Sequence, residues 1–191
     1  MSSPPDSFLD RPVRGFLDQL AARTPTPSGG GAAAVTGAMA AGLVGMAARF
    51  SAGQLPEAGD VADQADELRR RAADLAEADA RAYAAVLDAR RQSGELQEAL
   101  HGAALVPLEI AVIGAEVAQL AARVAEAGNP NLRGDAVTGA VLAAASARSA
   151  ACLVDINVNL GGLDPELSQR AARAADAAER VMSTERAGEE R

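Results

Sequence analysis

The sharpest chemical signal in the chain is Asp79. It falls on a helical seam that reads Val61, Ala65, Leu68, Ala72, Leu75, Asp79, Ala82 and Val86, with spacings of four and three residues alternating. A carboxylate where the pattern calls for an apolar side chain is costly to bury unless it is paired or hydrogen-bonded. It is therefore either one half of an ion pair, with Arg148 or Arg133 across a bundle, or a group kept for function as a base. Other polar groups also interrupt apolar surfaces. The loop NPNLRGD carries Asn129, Asn131, Arg133 and Asp135, which read equally as turn chemistry around a proline, with Asp135 as the natural N-cap of the helix after it. Asp155, Asn157 and Asn159 gather at the far end of that next helix. Gly29, Gly30 and Gly31 open an earlier helix and can bare amides to an anion, in a spacing that is neither a P-loop nor a dinucleotide fingerprint.

Composition removes several alternatives. The formal net charge of −8 argues against nucleic acid and anionic lipid, which need cationic neutralisation. The basic side chains are all Arg, so Schiff-base chemistry and a P-loop lysine are both excluded. One His and one Cys make neither a zinc site, nor a Ser-His-Asp triad, nor an internal disulfide, and a metal-free, cofactor-free mechanism is expected. Cys152 lies in an apolar run and is expected to be buried.

These groups need elements to hold them. A 49% apolar composition with 2% aromatic residues asks for a core of Ala, Leu and Val in closely packed helices, so the fold class is all-α: a bundle of long Ala-rich helices. Helices are expected over about 12–23, 32–50, 61–91, 94–127 and 136–158, with a last one from Glu166; TPTPSGGG is expected as a loop, and Pro107 as a kink or break. Helix 32–50 is apolar on nearly every side, which predicts that a second copy covers part of it and that the bundle dimerises. Residues 1–7 read as a disordered terminus, 8–182 as one domain and 183–191 as a charged tail. No signal peptide is present, and a cytoplasmic location is expected. Residues 29–48 are uncharged over about the length of a membrane span, but nothing else resembles a second span, so no membrane partner is expected.

In order along the chain, FLDQLAARTPTPSGGGAAA, ADARAY, ALHGAALVPLEIA, AGNPNLRGDAVTGA and VDINVNL resemble the cyclodeaminase/cyclohydrolase family of folate enzymes. The resemblance implies a dimerising helical bundle acting on tetrahydrofolate one-carbon adducts. Such enzymes hydrate the 5,10-methenyl form to 10-formyl or eliminate ammonia from the 5-formimino form. It assigns catalysis to Asp79 and Asp135, and substrate binding to Gly29, Gly30, Asn129, Asn131 and Asn157, with Arg133 or Arg49 meeting the substrate's glutamate carboxylates. The chain departs from the family pattern in places. A serine that commonly ends the glycine run is replaced by Gly31 and Ala32, with Ser28 on the other side, and Gly134 stands in place of a serine before Asp135. Lysines common in the family give way to Gln54 and His101.

Overall fold

The computed structural model describes residues 7–92 and 96–189; the expected disordered terminus lies, apart from Ser7, outside the described residues. A 3-10 turn, Phe8–Asp10, leads into α1 (Val13–Ala21), α2 (Gly29–Arg49), α3 (Ala58–Gln92) and α4 (Leu96–Ala127). A second 3-10 turn, Pro130–Leu132, then opens α5 (Arg133–Gly161), and α6 (Glu166–Glu189) closes the chain. The all-helical expectation holds, with no strand among the described residues.

The bundle is built on small side chains. α5 packs on α2, α4 and α6, while α3 lies across α2 and α4. Ala40, Ala47, Ala65, Ala111, Ala118, Ala143 and Ala147 are all buried in these contacts. Without bulky side chains between them the axes draw together: at Gly114 a Cβ would lie 2.8 Å from the Ala143 carbonyl oxygen. Gly162, in the left-handed region at φ 56°, ends α5 as its C-cap.

Four expectations need correction. The three glycines do not form a loop: they are the first turn of α2, with Ser28 as its N-cap. Asp135 does not cap α5 either; the cap is Leu132, which puts Asp135 in the first helical turn, where a carboxylate also suits the helix dipole. Cys152 is exposed, because the apolar run around it is helical and turns this position toward a face that none of the described elements covers. Finally, three helices rather than one are long and apolar enough to cross a membrane: Gly29–Arg49, Leu96–Ala127 and Pro130–Gly161. Of their most apolar windows, 56%, 61% and 50% are buried within the bundle.

Pro107 sits inside an unbroken α4 and is buried. α6 continues through Glu189, past the point where a separate tail was expected to begin.

Candidate active site

Asp79 lies on α3 where that helix passes the first turn of α2. Among the described residues its carboxylate takes no arginine partner. Oδ2 accepts two hydrogen bonds, from Ser28 Oγ at 2.9 Å and from the Gly31 amide at 3.1 Å. Oδ1 has no hydrogen-bond partner among the described residues and lies directly over Gly30, where an added Cβ would be 1.9 Å from it. The ion-pair explanation of Asp79 fails because Arg148 is committed elsewhere: its Nε meets Glu179 at 2.7 Å and its Nη2 meets Asp176 at 2.8 Å, both on α6.

The glycine run is therefore explained by contact. Gly30 has to be glycine for a carboxylate to rest on the helix backbone, and the N-terminus of α2 then offers that carboxylate an amide. Partial burial pushes the Asp79 pKa above its ordinary 3.8; the bonds from Ser28 and Gly31, which favour the ionised form, offset only part of this. A carboxyl that exchanges its proton nearer neutrality is suited to proton transfer.

Asp79 opens into a cavity of about 360 Å³ lined by Ser28, Gly29, Gly30, Tyr83, Val86, Arg90, Leu100, Ala103, Pro107, Leu153, Ile156, Asn157 and Leu160 among others. Of the cluster at the end of α5, Asn157 alone faces this cavity, while Asp155 and Asn159 are exposed on the surface. Asn157 is held by the proline of α4. Pro107 has no N–H to give the carbonyl four residues before it, which belongs to Ala103. Asn157 Nδ2 donates to that Ala103 oxygen instead, at 2.9 Å.

This substitution of a side-chain donor for a missing backbone donor is testable by coupling. Asn157→Leu leaves the Ala103 carbonyl unpaired and should cost about 1–3 kcal/mol in denaturant unfolding. Adding Pro107→Ala returns a backbone N–H to the same oxygen, so the double variant should recover part of that loss. Strictly additive losses would show that the Asn157–Ala103 bond does not replace the missing helix bond.

The NPNLRGD loop is elsewhere. Asn129 Nδ2 donates to the Phe50 carbonyl at 3.2 Å, beyond the last residue of α2, and Asn129 Oδ1 accepts from the Asn131 amide at 3.0 Å. Ser51 Oγ accepts from the Asn129 amide at 2.9 Å. The loop is thus tied to one end of α2 and Asp79 to the other, about 28 Å apart along the helix. Within one chain Gly29, Gly30, Asp79 and Asn157 come together, whereas Asn129, Asn131, Arg133 and Asp135 form a separate group. Arg49 is at that second end too, paired with Asp66.

Sequence reasoning missed Ser28, Tyr83 and Arg90. The last two had a readable signal, since 79, 83, 86 and 90 share one face of α3. No group of three His, Cys, Asp or Glu side chains among the described residues could hold a metal ion.

The geometry is that of a half-buried carboxylate on a helix N-terminus, facing a largely apolar cavity in an all-helical bundle. The family model described as formiminotransferase-cyclodeaminase matches residues 12–177, and the chain belongs to that family of folate one-carbon enzymes. Among its relatives is the methenyltetrahydrofolate cyclohydrolase of Methylorubrum extorquens, 37% identical over 169 residues and 80% of each chain. The formimidoyltransferase-cyclodeaminase of Mus musculus is 33% identical over 58% of this chain and 24% of its own length. A solved structure of formiminotetrahydrofolate cyclodeaminase from Thermotoga maritima superposes with a TM-score of 0.79 at 28% identity, covering 93% of this chain and 98% of that one.

Proposed function

We propose that this chain hydrates 5,10-methenyltetrahydrofolate to 10-formyltetrahydrofolate, with Asp79 as general base. The observation that carries this reading is the Asp79 carboxylate itself: one oxygen is fixed by Ser28 and Gly31, and the other is unpartnered beside an apolar cavity. The methenyl carbon is a cationic electrophile between two nitrogens. Water adds to it as Asp79 takes one water proton, and the ionised carboxylate attracts the cation until that moment. The carbinolamine then collapses: the bond from carbon to N5 breaks, N5 receives the proton from Asp79, and the hydroxyl proton leaves to solvent. In this reading Asn157, held by its Nδ2 bond to Ala103, hydrogen-bonds the pterin edge through its amide oxygen.

Elimination of ammonia from 5-formiminotetrahydrofolate is the second reading, supported by the names of the Thermotoga and mouse relatives. The more identical Methylorubrum relative, which also spans more of this chain than the mouse protein does, favours hydration. Purified protein mixed with each substrate separates them: loss of the methenyl absorbance supports hydration, and its appearance from the formimino substrate supports deamination. We read the chemistry as metal-free, so chelators should leave turnover unchanged; loss on chelation and recovery with a metal would overturn that.

The working unit in this reading is a homodimer in the cytoplasm. Met39 (53% exposed) on α2 and Phe50 (65%) just past its end, with Val141 (43%), Ile156 (52%), Leu160 (60%) and Cys152 on α5, leave apolar side chains uncovered along two adjoining helices. A two-fold axis across this face would run the two α2 helices antiparallel and bring the NPNLRGD loop of a second copy toward Asp79 of the first. Sedimentation at low micromolar concentration is expected to give a dimer; a folded monomer would count against it. If the site is shared, a mixture of inactive Asp79→Asn and Asp135→Asn proteins, unfolded and refolded together, should regain part of the activity.

A further inference from the structure

Three turns along α3 from Asp79, at the other end of the same cavity, is Arg90. We propose that Arg90 is the residue that reads the substrate's negative charge, binding the glutamate carboxylates of the folate while Asp79 works on its one-carbon end. The proposal rests on the folate reading above and, within one chain, replaces Arg49 and Arg133, which lie with the other end of α2.

Three observations support it. Among the described residues, Arg90 is the one cation lining this cavity. It is also unclaimed. On α3, Arg69 and Arg70 pair within the helix with Asp66 and Glu67, Arg71 reaches Glu109 on α4, and Arg91 meets Asp88 at 3.3 Å; Arg81 has no carboxylate partner among the described residues either, but it does not line the cavity. Arg90 has no carboxylate partner among the described residues. In a chain of net charge −8, a free arginine beside a cavity is a local exception to a surface that repels anions.

The third observation is the order of polarity. Asp79, Tyr83, Val86 and Arg90 share one face of α3 over about 16 Å, with Leu100, Leu153 and Leu160 among the side chains lining the remainder of the cavity. Negative, apolar and positive therefore follow one another. A methenyltetrahydrofolate presents the complement in the same sequence: a cationic one-carbon bridge, a flat aryl ring suited to the half-exposed Tyr83, and an anionic glutamate.

The test measures binding, so it does not depend on turnover. Calorimetric titrations at low salt use 5-formyltetrahydrofolate, its triglutamate form and the methylamide of 5-formyltetrahydropteroate, which lacks glutamate and carries no carboxylate. Wild-type protein should bind the first two at least about tenfold more tightly than the third, the usual worth of a charge-assisted hydrogen bond. Arg90→Gln should remove that difference by weakening the glutamate-bearing ligands alone, and Arg90→Lys should retain part of it. Equal weakening of all three ligands, or of none, would overturn the assignment. Wild-type protein that shows the glutamate preference without turning over either folate adduct would sink the proposed reaction and leave Arg90 in its role. Failure to bind any of the three would overturn both.

Discussion

Asp79→Asn is expected to lower turnover by about two to four orders of magnitude, the range for losing a positioned general base, while leaving the fold at least as stable. Both bonds to Asp79 arrive at the same oxygen, so an asparagine that turns its own oxygen toward Ser28 and Gly31 keeps both. Only the unpartnered oxygen becomes an amide nitrogen. Because burial raises the folded pKa of Asp79, the protein is most favoured with this group protonated. That preference is complete below the ordinary value of 3.8, fades as pH rises toward the folded value, and leaves the ionised form at a cost above it. A neutral side chain escapes that cost at pH 7, so the melting temperature should hold or rise. The acid limb of the wild-type rate should likewise lie above the ordinary aspartate pKa and vanish in the variant. A folded Asp79→Asn protein with near wild-type turnover would remove Asp79 from the chemistry.

Gly30→Ala should be as damaging to activity, by a different route. The new Cβ would stand 1.9 Å from Oδ1, 2.3 Å from Cγ and 2.7 Å from Oδ2 of Asp79. These three nearest atoms all belong to the carboxylate, so the carboxylate must leave or α2 and α3 must part. We expect turnover to fall to the level of Asp79→Asn, with a stability loss of about 1–3 kcal/mol from overpacking. The mechanism of that loss can be isolated. In an Asp79→Ala background the clashing atoms are gone, and Gly30→Ala should then cost little or even stabilise a helix that alanine suits better. An equal cost in both backgrounds would mean that the glycine serves something other than this contact.

The comparison of expectation with structure has a physical pattern. Asp79 was legible because it breaks an apolar seam, a regularity that needs only the helical period. The fold class was legible for the same reason, since Ala-rich amphipathic runs admit few alternatives. The first turn of α2 was not, because three glycines and a preceding proline read locally as loop, and only the carboxylate arriving from α3 explains why helix forms there. Cys152 and the second and third apolar helices were misjudged because composition reports how apolar a segment is, not which face remains uncovered. The split of the proposed site residues between the ends of α2 is a property of topology and has no signature along the chain. Tyr83 and Arg90 were within reach: their spacing from Asp79 was visible, but the cavity that gives the spacing meaning was not.

Ser28 bears on how this family can drift. The pattern that the chain resembles carries its serine after the glycines, and here the hydroxyl on Asp79 comes from before them. Room exists on the later side as well, since a Cβ at Gly31 would meet its neighbours at no less than 3.6 Å. A side chain the size of serine therefore fits on either side of the glycines in this fold, and a search that insists on one register for it would pass over a chain that keeps a hydroxyl on its aspartate.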